Sequence, residues 1–471
     1  MLEEQIFPDA IFKAYDIRGI VGKEWNASWS FQIGQAFGTL MREKALNHCV
    51  VGRDGRLSSE EFSDALIKGV RSTGINVYDI GLVATPAAYF AEYELNADGA
   101  LMVTASHNPA EYNGIKMVLQ HVAFAGDAIQ ELKQRVKEKH FALAETLGNY
   151  TIVDICKAYQ QRVLKGIGHL QAKRIAVDCG NGAMSQHAVA ALEALGMEVI
   201  PLYCVLDGHF PHHEPDPSKD ENLGDLKKIV CEQQCDLGLA FDGDGDRMVA
   251  VTSEGKSVAS DHMLMFFMES VLADCPGRPV VYDVKGSRAV PHWIKQCGGK
   301  PILAKTGHSY MKAAMRQYDA CLGAEISGHF FFQDRWYGFD DGLYAAVRLL
   351  EQLSKNNNLI ERLNAFPNMV TTPEIDWLFQ SANEARQTMA LIEKDAHFPE
   401  AIHIYRLDGL RIEYAHGFAL IRASNTSSQI TLRFEGDTQE ELEKIQKYMS
   451  NELLRVCGET YPAKHINLRD R

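Results

Sequence analysis

The sequence predicts an α/β protein made of three related mixed α/β domains and a C-terminal α+β domain. Two observations lead to this prediction: a βαβ pattern occurs three times, and the pattern changes after about residue 370. The chain has 471 residues, 46% of them hydrophobic and 23% charged, which is too long for a single core. We therefore expect domains at residues 1–150, 151–256, 257–369 and 370–471.

Each of the three repeats begins with a short β-branched run that ends in aspartate and a glycine-containing turn. These runs start at Val50, Ile175 and Val280, and a glycine 16 to 20 residues after the aspartate introduces a second strand. A third strand then leads into a polar motif, which begins at Thr104, Asp242 or Glu325. Ligands of open α/β sheets bind outside the carboxyl ends of the strands, so these three loops could line one site.

The last hundred residues follow a different pattern. Segments 401–406, 409–414 and 417–423 alternate around turns, ITLRFEG adds a strand, and a helix-like stretch runs from Thr438 to Cys457. This pattern is typical of a small antiparallel sheet with helices.

Composition and charge exclude several classes of function. A net charge of −14 argues against a nucleic-acid-binding protein, since affinity for phosphate backbones needs accumulated Lys and Arg. The longest apolar stretch, Met263 to Ala273, contains Glu269 and is shorter than the ~20 residues that span a bilayer. The acidic start does not resemble a secretory signal, and ten cysteines without a CxxC pair suit reduced thiols. We expect a cytoplasmic protein with no membrane association and no obligatory protein partner.

The motif FDGDGDR carries Asp242, Asp244 and Asp246, which alternate with glycines after an apolar strand. Three carboxylates so close together repel one another unless a positive charge lies between them. An EF-hand also begins D-x-D-x-D, but it needs glycine and glutamate where this chain has Arg247 and Ser253. We predict a Mg²⁺ site beside a phosphate, and a solvated acidic turn is the alternative.

Ser106 lies in VTASHNP, at the end of the third strand of the first repeat. A serine hydrolase of the α/β class would need G-x-S-x-G, whereas Ser106 is flanked by Ala105 and His107. A hydroxyl beside Mg²⁺ can instead carry a phosphoryl group, because the metal and basic residues neutralise its oxygens. Ser106 is the predicted phosphoryl carrier, and a capped turn is the alternative.

Two further motifs suit a phosphorylated sugar. Glu325 and Ser327 of GAEISGH are good partners for sugar hydroxyls, while His329 fits an acid–base, phosphate-binding or purely structural role. RASNTS, from Arg422 to Ser427, supplies donors suited to a phosphate dianion, and a polar hairpin turn is its alternative.

Together these motifs resemble the α-D-phosphohexomutase superfamily, and within it the bacterial phosphomannomutase/phosphoglucomutase branch. The resemblance covers essentially the whole chain, through FKAYDIRG, TASHNPAEYNGIK, DGHFPHHEPDPSKDENL, LAFDGDGDR, YDVKGS, KTGHSYMK, GAEISGHFFF, RWYGFDDG and RASNTS. It implies four domains arranged around a central cleft. One departure is Ser427-Ser428, where the family commonly has a residue and then proline after SNT.

The resemblance also implies roles for individual residues. Ser106 would be a phosphoserine, and one Mg²⁺ would be held by its phosphate with Asp242, Asp244 and Asp246. Glu325 and Ser327 would hold sugar hydroxyls. The non-reacting phosphate would be bound by Arg422, Ser424, Asn425 and Thr426. The remaining wall of the site would consist of Tyr15, Arg18, Lys116, Arg247, Lys285, His308 and His329. Lys116 and His329 are the usual candidates for proton transfer, and Arg18 is also expected to be catalytic.

The implied reaction interconverts the 6-phosphates and 1-phosphates of mannose and glucose. It runs through a hexose 1,6-bisphosphate, which also serves as activator, and the partner is a small phosphosugar substrate. A phosphoglucosamine mutase or a strict phosphoglucose mutase is an alternative within the same class. A non-catalytic phosphosugar-binding protein is an alternative from another class, and the intact Ser106, three aspartates and Lys116 argue against it.

Overall fold

The structure of the chain is a computed structural model that describes residues 7–168, 170–355, 358–424 and 427–458. It divides into two compact units: Met1–Met263 with Ser327–Ile360, and Leu264–Ile326 with Glu361–Arg471. Within the described ranges, no helix combines the length and the apolar character needed to cross a bilayer.

The first unit begins with a seven-stranded sheet in the order β1-β5-β4-β2-β3-β7, with β6 paired to β5. Its strands are β1 (Ile17–Ile20), β2 (His48–Arg53), β3 (Asn76–Leu82), β4 (Gly99–Val103), β5 (Tyr112–Leu119), β6 (Val122–Ala123) and β7 (Tyr150–Ile152). Its helices are α1 (Ala27–Glu43), α2 (Ser59–Ser72), α3 (Thr85–Glu94) and α4 (Asp127–Glu138), after a 3₁₀ turn at Asp9–Ile11. Strand β2 runs parallel to β3 and β4, whereas β5 is antiparallel to β4.

The second sheet of this unit has the order β11-β10-β8-β9. Its strands are β8 (Arg174–Asp178), β9 (Glu198–Leu202), β10 (Leu237–Phe241) and β11 (Met248–Thr252). The accompanying helices are α5 (Cys156–Leu164), α6 (Ala188–Ala194) and α7 (Gly224–Glu232), with 3₁₀ turns at Ala183–Gln186 and Asp220–Leu223. Every residue of β10 is buried, as expected for a strand with helices on its faces.

The third repeat contributes to both units. In the second unit, β12 lies between β13 and β14, and all three strands are parallel. The elements of this repeat are α8 (Ser260–Asp274), β12 (Pro279–Asp283), α9 (Ala289–Gln296), β13 (Lys300–Ala304), α10 (His308–Gln317), β14 (Leu322–Ala324), β15 (Phe330–Phe332), α11 (Gly342–Lys355) and α12 (Leu359–Ala365). All three repeats therefore contain the three strands that the sequence predicts.

The C-terminal part of the second unit is the predicted α+β structure. Its antiparallel sheet has the order β16-β21-β20-β19-β18, with β17 also paired to β21. The elements are β16 (Val370–Thr371), β17 (Ile375–Leu378), α13 (Ala382–Asp395), β18 (His403–Tyr405), β19 (Leu410–Tyr414), β20 (Gly417–Ala423), β21 (Gln429–Gly436) and α14 (Gln439–Cys457). Helix α14 begins where the sequence predicts it, because Thr438 caps it by accepting a hydrogen bond from the Glu441 N–H. The prediction of three mixed α/β domains and an α+β domain is confirmed.

Candidate active site

Ser106 lies in the loop that follows β4, and its hydroxyl points at the predicted metal-binding motif, which follows β10 of the second sheet. Its Oγ donates to Asp242 Oδ2 at 2.9 Å and lies 3.1 Å from Nδ1 of His107. The residue has φ = 51°, in the left-handed region that residues other than glycine seldom adopt. Such a conformation persists only when the surroundings hold it, and it is enriched at functional sites. The serine is 2% exposed.

The three aspartates of the metal-binding motif lie in the loop between β10 and β11. Asp242, Asp244 and Asp246 are 0% exposed, and each offers an oxygen within 4.8 Å of the other two. The backbone N–H groups of Gly245 and Arg247 donate to Asp242 Oδ1 at 3.0 and 3.1 Å. Burial, together with the neighbouring carboxylates, raises the pKa of Asp242 well above its usual range.

Lys116 on β5 supplies the counter-charge to this cluster. Its Nζ donates to Asp244 Oδ2 at 2.7 Å and also to Asp246. Although burial opposes ionisation, the charge and hydrogen bond of Lys116 hold the pKa of Asp244 below its usual value. Thr85, at the start of α3, donates from its hydroxyl to the same Asp244 oxygen at 2.5 Å. No local pattern in the sequence indicates the Thr85 contact, which joins residues 159 positions apart.

The donor set fits a hard divalent cation. It consists of oxygen atoms, the ligands that Mg²⁺ and Ca²⁺ prefer. Among the described residues, the buried Asp244 Oδ1 and Asp246 Oδ1 accept no hydrogen bond, so two ligand atoms in the cluster lack a hydrogen-bond partner within the protein. A buried carboxylate oxygen without a partner is costly, and a cation would satisfy it.

Arg247 and His329 form a second polar group next to the aspartates. Arg247 Nε donates to His329 Nε2 at 3.0 Å, while His329 Nδ1 lies 3.1 Å from Asp340 Oδ2 and 3.5 Å from Asp246 Oδ1. An N–H donated by Arg247 requires a lone pair on Nε2, which leaves the proton of a neutral ring on Nδ1, facing Asp340. Asp340 lies in the RWYGFDDG motif, where no sequence pattern distinguishes it as a partner of His329.

Arg18 on β1 reaches the serine loop from the neighbouring strand. Its Nη1 donates to Asn108 Oδ1 at 2.5 Å and its Nη2 to Asp16 Oδ2 at 2.5 Å. Tyr15 precedes β1 and is half-buried. The first unit also contains the half-buried Ser327, so it holds ten of the predicted site residues: Tyr15, Arg18, Ser106, Lys116, Asp242, Asp244, Asp246, Arg247, Ser327 and His329.

The other predicted residues that the structure describes belong to the second unit. Glu325 follows β14 and accepts a hydrogen bond from the Gly307 N–H at 2.5 Å, directly before His308 opens α10. Lys285, after β12, lies 2.7 Å from Glu374. Glu325 is thus brought close to the KTGHSYMK turn, since it bonds a residue 18 positions earlier in the sequence.

The predicted phosphate-binding motif begins in the last two residues of β20, in the same unit. Arg422 Nε donates to Asp408 Oδ2 at 3.1 Å, and that oxygen also accepts the Thr306 N–H at 3.1 Å. Ser424 Oγ accepts the Ser427 N–H at 3.1 Å. The predicted residues Asn425 and Thr426 lie outside the described residues. Glu374 and Asp408, which pair with two predicted cations, had no distinguishing signal in the sequence.

Comparison with known protein families gives matches along most of the chain. The chain matches the models "Phosphoglucomutase/phosphomannomutase, alpha/beta/alpha domain" I, II and III over residues 9–143, 157–255 and 259–369. Residues 376–452 match the C-terminal domain model of the same family.

Individual relatives are similar along nearly the whole chain. A phosphomannomutase/phosphoglucomutase from Pseudomonas putida is 45% identical, with 95% of this chain and 96% of the relative covered. A phosphoglucomutase from Neisseria meningitidis is 44% identical, with 93% and 95% covered. The crystal structure of a phosphoglucomutase/phosphomannomutase family protein from Burkholderia thailandensis has a TM-score of 0.90 at 41% identity, covering 96% of this chain and 98% of that one.

Proposed function

Because the chain belongs to the phosphoglucomutase/phosphomannomutase family, and is therefore an intramolecular phosphotransferase, we propose that it interconverts the 6-phosphates and 1-phosphates of mannose and glucose through a phosphorylated Ser106. The observation that carries this proposal is the 2.9 Å contact between Ser106 Oγ and Asp242 Oδ2. A hydroxyl beside a buried cluster of cation ligands is suited to carry a phosphoryl group.

The reaction consists of two opposite phosphoryl transfers. In the first, the P–Oγ bond of phosphoserine breaks, a P–O bond forms to the free hydroxyl of the sugar phosphate, and the proton of that hydroxyl passes to a base. The bisphosphate then turns, and its other phosphoryl group returns to Oγ of Ser106. The sugar oxygen released in this step takes up a proton, so the phosphoserine is regenerated.

Several residues of the chain support these transfers. Asp242, Asp244 and Asp246 would hold Mg²⁺ with the phosphoserine, and the bound ion would supply positive charge against the transferring phosphoryl oxygens. Mg²⁺ is proposed because oxygen ligands beside a phosphate match its preferences. Lys116 adds a fixed positive charge, and His329, held between Arg247 and Asp340, is the candidate for moving protons.

Substrate binding is assigned to the remaining residues. Glu325 and Ser327 are proposed to bind sugar hydroxyls, and Arg422 and Ser424, with Asn425 and Thr426, the non-reacting phosphate. Tyr15, Arg18, Lys285 and His308 complete the proposed binding surface. Since mannose and glucose differ only at C2, contacts to shared hydroxyls discriminate weakly, and we expect kcat/KM values for the two 1-phosphates within about two orders of magnitude. A hexose 1,6-bisphosphate is the proposed activator, and the cytoplasmic location remains a prediction of the sequence.

Intact mass spectrometry tests the phosphoserine directly. The protein incubated with glucose 1,6-bisphosphate should gain the mass of one phosphoryl group, and Ser106→Ala should neither gain it nor turn over substrate. Ser253→Ala, at an exposed turn, is the matched control and should behave as the wild type. Wild-type turnover without any phosphorylated protein, or full activity of Ser106→Ala, would show the proposal to be wrong.

The same preparation decides the substrate and the metal. Turnover of mannose 1-phosphate and glucose 1-phosphate, but not of glucosamine 1-phosphate, is expected. Activity should disappear in EDTA and return with Mg²⁺. Turnover that survives EDTA would contradict the role of the three aspartates.

A further inference from the structure

Arg56 is a buried cation in the turn between β2 and α2 that contacts the serine loop through its backbone. Its Nη2 donates to the carbonyl oxygens of Ser106 and Asn108 at 2.8 and 2.6 Å. Its Nη1 donates to the carbonyl oxygens of Pro109 and Tyr112 at 2.6 and 3.1 Å. One guanidinium therefore binds four carbonyl groups of the segment that starts at the proposed nucleophile. Arg56 is 3% exposed, and hydrogen bonds from a charged donor are strong in such surroundings.

The orientation of the Arg56 side chain is itself fixed. Its Nε lies 3.2 Å from Asp54 Oδ2, and the other oxygen of Asp54 accepts the Arg56 N–H at 3.0 Å and the Ser59 hydroxyl at 2.5 Å. The face of the guanidinium lies against the Phe210 ring, 5.0 Å from its centroid. A planar guanidinium can stack on an aromatic ring and donate from its edge at the same time, which an ammonium cannot do.

Phe210 belongs to the DGHFPHHEPDPSKDENL segment, for which the proposed mechanism has no role. It has φ = 50°, a conformation that is a clear outlier for a bulky residue. Next to it, a Cβ on Gly208 would lie 2.5 Å from the Gly55 carbonyl oxygen, so this segment packs directly on the turn that carries Arg56. The contact joins the first two repeats within the first unit.

The predicted metal-binding loop packs on the same carbonyl group. A Cβ on Gly243 would lie 2.4 Å from the Ser106 carbonyl oxygen, so any larger residue would displace the serine loop or the aspartate loop. The Ser106 carbonyl thus lies against both Arg56 and the loop at Gly243. These contacts constrain the backbone of Ser106, whose left-handed conformation needs such support.

We propose that Arg56, braced by Asp54 and Phe210, is a positioning residue that holds the Ser106 loop at the distance and orientation that phosphoryl transfer requires. The proposal rests on the proposed function of Ser106 and deepens it. In-line transfer depends on placement of the nucleophile, and a displacement of about 1 Å can lower a rate by about 100-fold. Because Arg56 acts on Ser106 and has no proposed contact with the sugar, its loss should lower kcat and leave KM unchanged.

The test uses the full chain with two replacements of Arg56. Arg56→Met removes all four carbonyl contacts and is expected to lower kcat by about 100-fold. Arg56→Lys keeps the charge, but its three donors cannot serve four carbonyls, so an intermediate loss of about 10-fold is expected. The rate at which glucose 1,6-bisphosphate phosphorylates Ser106, followed by intact mass, should fall in parallel, with KM for glucose 1-phosphate within about 3-fold of the wild type.

Arg53→Lys is the matched control, since Arg53 precedes the same turn and makes only a 3.9 Å pair with the exposed Glu60. Misplacement of Ser106 is expected to lower kcat by about 10- to 100-fold. The inference would therefore be overturned if folded Arg56→Lys and Arg56→Met had kcat values and phosphorylation rates within about 2-fold of this control. A raised KM with unchanged kcat would also overturn it, because Arg56 would then act on sugar binding.

Phe210→Leu keeps the inference testable if the Arg56 variants do not fold. It retains the backbone and removes the ring that braces Arg56, so a several-fold loss of kcat at unchanged KM is expected, and an unchanged kcat would contradict the inference. Failure of the proposed function would give a different result, because the wild-type protein would then show no phosphorylated Ser106. If the wild type is phosphorylated and active but the Arg56 variants have unchanged kcat, only the role of Arg56 is wrong.

Discussion

Lys116 is a buried cation that pairs with two of the three buried aspartates, Asp244 and Asp246, so its removal tests the electrostatics of the site. Its Nζ lies 2.7 Å from Asp244 Oδ2, it also donates to Asp246, and its side chain is 2% exposed. Lys116→Met keeps most of the volume and removes the charge. Removing one partner of a buried ion pair costs about 3–5 kcal/mol, because the remaining charge stays buried without a partner.

This cost can be read as a change in melting temperature. For a folding unit of a few hundred residues, each kcal/mol shifts Tm by about 2–4 °C, so Lys116→Met in EDTA should melt on the order of 10 °C below the wild type. Mg²⁺ should recover much of the difference, since an ion bound only by the folded state stabilises it by mass action. The wild type should gain less, because Lys116 already neutralises part of the cluster.

Differential scanning fluorimetry in EDTA and in Mg²⁺ measures both effects. Lys133→Met is the matched control: Lys133 lies 2.8 Å from Asp9, but that carboxylate is 59% exposed, and such surface pairs contribute about 0–1 kcal/mol. The proposed role of Lys116 is refuted if the two variants melt within about 2 °C of each other in EDTA, because such a difference corresponds to less than about 1 kcal/mol in the free energy of unfolding. It is also refuted if Mg²⁺ stabilises the wild type as much as Lys116→Met.

Three further outcomes are expected. Burial raises the pKa of Asp341 to about 7 in the folded protein. In the unfolded chain the same carboxyl loses its proton near pH 4, so the folded state loses stability as the pH rises from about 4 to 7. Asp341→Asn lacks this loss, so the Tm of the variant relative to the wild type should rise between pH 4 and pH 7, and a constant Tm difference would contradict the shift. Arg422→Ala should lower kcat/KM without altering the preference between mannose and glucose 1-phosphates, and a changed preference at unchanged KM would count against phosphate binding. Glu325→Ala should lower kcat/KM for both sugars similarly, and a loss confined to one sugar would show that Glu325 distinguishes the configuration of the hydroxyl at C2.

The sequence could predict the loops of the site because each follows the third strand of a repeat. The strands at β4, β10 and β14 are apolar runs with clear ends, and in an α/β sheet the residues just beyond such ends are those that meet ligands. Ser106, the three aspartates and Glu325 were predicted in this way. These predictions used only local pattern and the general rule for open sheets.

The contacts between the loops could not be predicted because they depend on register and on long-range packing. Lys116 reaches the aspartates from a strand whose register places it opposite Met102, and no local pattern fixes that pairing. Arg56 and Asp340 act on residues about 50 and 11 positions away, respectively. The boundary between the two compact units falls between Glu325 and Ser327, and the alternation of these residues in the sequence does not indicate it.

Two features of the site are unfavourable for folding, and both are stabilised in the same way. A left-handed serine and three buried carboxylates each cost free energy, and neither contributes to a hydrophobic core. Both are held by fixed cations of the chain, Arg56 on the serine loop and Lys116 on the aspartates. We expect these fixed cations to keep the shape of the site whether or not a metal ion is bound. The placement of Ser106 against the three aspartates is set by the packing of the first two repeats, and we expect a bound cation to add charge to a site that is already formed.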